Sequence, residues 1–190
     1  AVRNAGKRRV PLSDGILEGA FELSRHGEKK DWGVEYLERV ARHEAGHALL
    51  CRLSGRSPAY LTIVARGGHG GYMEHESAED EPVRTSAELL SRIRTALGGR
   101  AAELVYYGQE QGVSTGAAAD LKSASRIAAA MILDYGMEGE AGLWGLSREE
   151  VLKSPLSAEF SACVAGILGE QMAAAVELVG GARREIDLLV

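Results

Sequence analysis

The sequence predicts a mainly α-helical protein of one ordinary domain, with a small β element after an early helix. Apolar residues recur at three- and four-residue steps over most of the 190-residue chain, as in amphipathic helices. Branched residues bracket a glycine-rich bend only at residues 60–74. The formal net charge is −5, from 22 basic and 27 acidic residues, so no basic excess points to a nucleic-acid partner.

The first half of the chain is predicted to contain two helices and the β element. Residues 1–31 are polar except for one helix of about three turns. A second helix is predicted from Val34 to Ser54, ending at Gly55, a residue type that favours helix termination. Residues 60–74 then predict a β-hairpin or small sheet around the bend GGHGG, followed by an acidic surface loop.

The second half is predicted to be helical. One helix is expected from Ser86 to Tyr107, with Ser86 as its N-cap and Gly98-Gly99 marking a weak or tightly packed place. Another follows the segment STG at 114–116 and runs to Tyr135. A last helix is predicted from about Ser157, with an interruption near Gly180-Gly181.

The cellular setting is predicted from the cysteines and from the hydropathy of the chain. Cys51 and Cys163 are too few for a disulfide scaffold, so we expect reduced thiols in a cytoplasmic protein. No stretch approaches the ~20 apolar residues that span a bilayer, and no membrane segment is expected in this chain. Since the sequence begins at Ala1, any membrane association is expected to come from an upstream region of a longer protein.

The most informative motif is HEAGH at residues 43–47, an HExxH sequence inside the second predicted helix. A spacing of four places His43 and His47 on one helix face, one turn apart, where both imidazoles can reach one tetrahedral zinc ion. Glu44 lies about 100° further round the helix and can contact a water without being a ligand. The motif therefore predicts a zinc peptidase in which Glu44 is the general base.

A catalytic zinc ion needs a third protein ligand, and several residues are candidates. The metzincin extension is excluded because positions 50 and 53 are leucines. Cys51 lies one turn further along the same helix, but one straight helix cannot easily wrap three ligands around an ion. Asp120 lies in the first turn of an otherwise apolar helix, where an acidic residue also favours the helix dipole. Other candidates lie near the bend, namely His69, His75, Glu74, Glu76, Glu79 and Asp80.

Five segments resemble the peptidase domain of the FtsH-type AAA+ zinc proteases, the M41 peptidases. They occur in the family's order and cover about two-thirds of the chain. The segments are RVARHEAGHALL, LTIVARGGHGGYM, ELLSRIRTALGGRAAELVYYG, VSTGAAADLKSASRIAAAMILDYGM and the weaker GLWGL.

This resemblance implies specific roles. His43 and His47 correspond to the family's histidine ligands, Glu44 to its base and Asp120 to its third ligand, an aspartate, with one zinc ion per chain. The family lays an extended substrate along a strand edge, which corresponds here to Leu61, Thr62, Ile63, Val64, Gly70, Gly71 and Tyr72. Main-chain pairing of that kind gives little side-chain selectivity, which suits the degradation of unfolded or loosely folded polypeptides.

The resemblance also implies a larger assembly. Residues 1–31 resemble the end of an AAA+ lid and 32–190 the peptidase domain, but the chain has no GxxxxGK[ST] phosphate loop. ATP is therefore expected to act only through an ATPase module outside this chain, and a homohexamer is expected. The sequence departs from the family where paired glutamates are usual, since Glu103 is followed by Leu104, and at one inserted residue before Val113.

Two other functions remain open. A non-catalytic assembly or adaptor module could keep the fold without the chemistry, although such a module has no need for Glu44 beside two histidines. A metal sensor or store would use the ligands but would also leave Glu44 without a task.

Overall fold

The computed structural model describes residues 21, 23–24, 33–63, 72–75, 83–138 and 147–190. The prediction of a mainly α protein with a small β element after the histidine-bearing helix is confirmed. In chain order the described residues form α1 (Val34–Leu53), β1 (Pro58–Thr62), β2 (Tyr72–His75), α2 (Ser86–Ala96), α3 (Gly98–Gly112), a 3₁₀ turn (Thr115–Ala117), α4 (Ala118–Leu133), α5 (Arg148–Leu152), α6 (Ser157–Gly181) and α7 (Arg183–Asp187).

The β element is an antiparallel pair of strands. Leu61 of β1 lies opposite Met73 of β2, and a register irregularity falls between Pro58 and Tyr60. Several predicted features lie outside the described residues, so the structure does not test them. These are the glycine-rich bend, the acidic loop after β2, the GLWGL segment and nearly all of the N-terminal segment.

Helix α1 has almost the predicted limits. Its last turn is closed at Ser54, and Gly55 follows with a φ of 80°, a left-handed conformation that glycine adopts without steric cost. Helix α4 also ends close to the predicted position, and Gly136 follows it with a φ of 58°. The short helix α5 was not predicted, because five residues are too few to show a helical period.

The helix predicted from Ser86 to Tyr107 is in fact two helices. Its N-cap is Thr85 rather than Ser86, because Thr85 is extended and its side chain forms a capping box with Glu88. The break falls at Leu97, and α3 begins at Gly98. There the backbone packs directly on α1, since a Cβ added to Gly46 would lie only 2.4 Å from the carbonyl oxygen of Gly98.

The core consists of two clusters that share helix α6. The first joins α2, α4 and α5 with the N-terminal half of α6, where Phe160 and Ile167 are buried. The second joins α1, α3 and α7 with the C-terminal half of α6, where Ala175 and Val179 are buried. Helix α6 therefore fixes the helices α1 and α3 relative to α2 and α4.

Helix α6 is also long and strongly apolar. By length and composition it could cross a membrane, with a mean hydropathy of 1.5 in its most apolar window, of which 22% is buried. The expectation that no stretch approaches membrane-spanning composition is therefore not confirmed. The buried side chains of α6 belong to the two core clusters.

Candidate functional site

The two histidines of the HExxH motif lie on the face of α1 that packs against α3. His43 and His47 are 8% and 6% exposed, and their ring centroids are 4.9 Å apart. The approach of the two helices depends on Gly46 and Gly98, because a side chain at either position would meet backbone atoms of the other helix. The amphipathic period of α1 and this glycine contact together bury the imidazoles at one place.

Asp120 reaches the same place from the first turn of α4. Its Oδ2 lies 3.2 Å from Nε2 of His43 and 3.4 Å from Nε2 of His47, and the two Nε2 atoms are 3.2 Å apart. Zinc ligands at about 2.0–2.2 Å in a tetrahedron are separated by about 3.3–3.6 Å. The three atoms therefore have nearly the spacing that a tetrahedral zinc ion requires, and the donor set suits that ion.

The other nitrogen of each imidazole is occupied by a protein acceptor. Nδ1 of His47 lies 2.8 Å from the carbonyl oxygen of Thr95, near the break between α2 and α3. Nδ1 of His43 lies 3.1 Å from Oε1 of Glu103. When each Nδ1 donates to its partner, each Nε2 directs a lone pair towards Asp120. Three electron-rich atoms then face one another, an arrangement that a cation stabilises.

The pKa values of His43 and Asp120 in the metal-free protein also favour a positive charge between the three atoms. Burial lowers the pKa of His43, but hydrogen bonds to Asp120 and Glu103 outweigh it and raise that pKa to about 9. Burial raises the pKa of Asp120, but hydrogen bonds from His43 and His47 outweigh it and hold that pKa well below its ordinary value. Without a metal ion, a proton on His43 thus provides the positive charge that the site favours.

The site is open to solvent on one side. The side chain of Asp120 is 28% exposed, whereas those of His43 and His47 are 11% and 7% exposed. An ion held by the three atoms would therefore face solvent near the carboxylate. A fourth coordination position on that side is accessible to water or to a substrate carbonyl.

Glu103 is part of the site and was not recognised as such from the sequence. It is 2% exposed, accepts a hydrogen bond from Ser114 and lies next to Arg100. Burial raises the pKa of Glu103, but hydrogen bonds from His43 and Ser114 outweigh it and lower that pKa below its ordinary value. The signal available in the sequence was the family resemblance, since the family usually has paired glutamates at this place and Glu103 occupies it here.

Gly99 lies directly against the imidazole ring of His43. A Cβ added to Gly99 would lie 2.2 Å from Nε2 of His43 and 2.4 Å from Cε1. Glycine at this position therefore leaves the space that the imidazole occupies. The predicted tight packing at Gly98-Gly99 thus has two partners, the backbone of Gly46 and the side chain of His43.

The remaining catalytic and ligand candidates have different positions. Glu44 is 8% exposed on α1, and its charge contributes to the raised pKa of His43. Cys51 is fully buried, and burial raises the pKa of its thiol. Within the described part of the chain, the group of potential ligand atoms that lie within 4.8 Å of one another comprises His43, His47 and Asp120. The side chains of the six other candidates lie outside the part of the chain that the structure describes, namely His69, Glu74, His75, Glu76, Glu79 and Asp80.

The predicted substrate edge is described only in part. Leu61 and Thr62 belong to β1, Ile63 follows it, and Tyr72 begins β2. Leu61 and Ile63 are each 41% exposed. Three further predicted positions, Val64, Gly70 and Gly71, lie outside the described residues.

Comparison with known proteins identifies related chains. The model of peptidase family M41 matches residues 35–186. The chain is 37% identical over 147 residues to an ATP-dependent zinc metalloprotease FtsH of Mycoplasmopsis pulmonis, covering 76% of this chain and 19% of that protein. It is 44% identical over 111 residues to FtsH 2 of Symbiobacterium thermophilum, covering 57% of this chain and 18% of that protein. It is 34% identical over 167 residues to the chloroplastic FTSH 6 of Arabidopsis thaliana, covering 80% of this chain and 24% of that protein. The chain thus spans about a quarter or less of each relative.

Proposed function

Since this chain belongs to peptidase family M41, we propose that it is a zinc-dependent endopeptidase domain that degrades unfolded or loosely folded polypeptides. The observation that carries this proposal is the convergence of three ligand atoms from His43, His47 and Asp120. Two imidazoles and one carboxylate are a donor set of catalytic zinc, with three protein ligands and one open position. The relatives described above are named zinc metalloproteases, which supports the choice of metal.

The proposed chemistry assigns a task to each residue. His43, His47 and Asp120 would hold one zinc ion. When bound, zinc supplies Lewis acidity that polarises the scissile carbonyl and lowers the pKa of water. Glu44 accepts the proton of the attacking water and delivers it to the leaving amine as the C–N bond breaks. Its position beside His43 on α1 supports this role as general base.

The substrate is proposed to bind as an extended strand. The residues involved would be Leu61, Thr62, Ile63, Val64, Gly70, Gly71 and Tyr72, on β1 and β2 and the residues between them. Main-chain hydrogen bonds would supply most of the affinity, and a folded substrate could not offer them. A preference for unfolded or loosely folded polypeptides follows from that mode of binding.

The domain is proposed to act within a larger ATP-dependent protease. Residues 32–190 would form the peptidase domain and 1–31 the end of an AAA+ lid, with ATP bound by a module outside this chain. The names of the relatives and the small share of them that the chain spans support this arrangement. We further propose that the protein forms a homohexamer. We place it in the cytoplasm, with any membrane attachment supplied by an upstream region of a longer protein.

Zinc binding and proteolysis can be measured on the same variants. We expect the unmodified chain to bind about one zinc ion and to cleave casein or a short fluorogenic peptide. Glu44→Gln should bind zinc as well as the unmodified chain but cleave at least about 100-fold more slowly. The matched control is Glu35→Gln, an exposed position on the same helix, which should keep full activity. Equal cleavage rates of Glu44→Gln and the unmodified chain would exclude the proposed base. Absence of cleavage by the zinc-loaded unmodified chain would instead favour a function other than proteolysis.

A further inference from the structure

The hydroxyl of Ser114 connects two parts of the metal site that belong to different helices. Ser114 precedes the 3₁₀ turn that leads into α4, and its Oγ accepts a hydrogen bond from the backbone N–H of Gly116 at 3.1 Å. The same hydroxyl donates to Oε1 of Glu103 on α3 at 2.7 Å. One side chain thus caps the segment that carries Asp120 and also binds the helix that packs against the histidines.

Glu103 extends this connection to the first histidine. Its Oε1 accepts from Ser114 and also lies 3.1 Å from Nδ1 of His43. The carboxylate is 2% exposed, so water does not compete freely for these bonds. A continuous path therefore runs from the turn before Asp120, through Ser114 and Glu103, to the imidazole of His43.

Arg100 of α3 also binds the chain at Ser114. Its Nη2 donates to the carbonyl oxygen of Ser114 at 2.5 Å, and its Nε faces Oε2 of Glu103 at 3.6 Å. The hydroxyl and the carbonyl oxygen of Ser114 are thus both bound to side chains of α3. The backbone at Ser114 is extended, with φ −116° and ψ 169°, and helical structure begins at the next residue.

The metal site needs such a connection because its ligands are distant in sequence. His43 and Asp120 are separated by 77 residues and lie on different helices, yet their ligand atoms are only 3.2 Å apart. Metal–ligand distances tolerate deviations of only about 0.2 Å. From Ser114 to Asp120 the chain is one 3₁₀ turn followed by the start of α4, so a shift of Ser114 moves the carboxylate with it.

We propose that Ser114 is a positioning residue of the metal site, which keeps Asp120 and His43 at ligand distance by bonding to Glu103. The proposal rests on the function proposed above, since it requires that the site binds zinc. Ser114 does not touch the ion in this account and acts through Glu103 and through the turn that it caps. Bonds of this kind around metal ligands typically change affinity 10- to 100-fold.

The test compares three serine variants of the full chain. Ser114→Ala removes both hydroxyl bonds, and Ser114→Thr keeps a hydroxyl that can cap and donate. Ser147→Ala is the matched control, because Ser147 caps α5 in the same way through the N–H of Glu150, but its hydroxyl donates to Glu150 rather than to Glu103. Zinc affinity is measured by competition with a chromophoric chelator, and Co²⁺ absorption spectra report the geometry of the ligands.

We expect Ser114→Ala to bind zinc 10- to 100-fold more weakly than the unmodified chain and to alter the Co²⁺ spectrum. Ser114→Thr should restore the affinity to within about threefold, and Ser147→Ala should leave affinity and spectrum unchanged. The proposal is overturned if Ser114→Ala retains its affinity, or if Ser114→Thr or Ser147→Ala loses as much. Failure of the unmodified chain to bind zinc would instead reject the proposed function itself.

A second variant covers the case in which Ser114→Ala does not fold. Glu103→Gln keeps the shape of the side chain and leaves the bond between Ser114 and Gly116 in place. It should weaken zinc binding at least tenfold, because a neutral amide is a weaker acceptor for Ser114 and His43. Zinc affinity within threefold of the unmodified chain would overturn the proposal by this route.

Discussion

Replacing Gly99 by alanine is expected to weaken zinc binding at least about 100-fold while leaving the fold in place. The new Cβ would lie 2.2 Å from Nε2 of His43, 2.4 Å from Cε1 and 2.5 Å from Cδ2. A normal contact of about 3.5 Å requires the ring to move by about 1.3 Å. Metal sites tolerate deviations of only about 0.2 Å. Because Nε2 is the atom that faces Asp120, the displacement falls directly on the proposed ligand.

The effect on stability should be much smaller than the effect on zinc. Gly99 is the second residue of α3, where alanine is favoured over glycine by at most about 1 kcal/mol. Forcing a methyl group against the imidazole costs about 1–3 kcal/mol. The two contributions oppose each other, so the net loss of unfolding free energy should be at most about 2 kcal/mol.

Zinc affinity and thermal unfolding are measured on Gly99→Ala and on a control. Gly166→Ala is the control, since a Cβ there meets nothing within 4 Å and the position also lies inside a helix. We expect Gly99→Ala to bind zinc at least about 100-fold more weakly and Gly166→Ala to bind normally. A folded Gly99→Ala chain with zinc affinity within threefold of the unmodified chain would refute the assigned position of His43.

Three further outcomes are expected. Gly46→Ala should lower the unfolding temperature, because its Cβ would lie 2.4 Å from the carbonyl oxygen of Gly98 and would separate α1 from α3 at a cost of about 1–3 kcal/mol. Removing zinc with a chelator should also lower that temperature, since an ion at 100 times its Kd stabilises the fold by about 2.7 kcal/mol, and an unchanged calorimetric transition would contradict this. His43, with a pKa of about 9, is protonated at pH 7 in the metal-free chain, so zinc binding should release a proton there and cease to do so as the pH rises above about 9. Calorimetric titrations in buffers of different ionisation enthalpy measure that release.

The helices and strands that show a clear apolar period, or that end at a glycine, could be predicted from the local sequence pattern. The apolar period and Gly55 predict α1 almost to the residue, and the branched residues of 60–74 predict the strands. The break at Leu97 lies beside Gly98-Gly99, which the sequence marked as a weak or tightly packed place. The contact between Gly46 and Gly98 at that place was not predictable, because the two glycines are distant in sequence. The pair Gly98-Gly99 signalled tight packing but not the partner.

The site was predictable in part. The spacing of His43 and His47 alone predicts two convergent imidazoles, and the structure brings them together with Asp120. Local reasoning left Asp120 open between a ligand and a helix-dipole residue, and the family resemblance was needed to favour the ligand. The contributions of Glu103 and Ser114 to the site were not predicted, because a hydrogen bond between α3 and the turn before α4 produces no periodic pattern in the sequence.

A crystal structure of the zinc-loaded chain, with anomalous scattering recorded at the zinc edge, tests the central claim most directly. We expect one ion at about 2.0–2.2 Å from Nε2 of His43, Nε2 of His47 and Oδ2 of Asp120, with a fourth position facing solvent. An ion bound elsewhere, or one whose distance to Asp120 is well beyond bonding reach, would contradict the account.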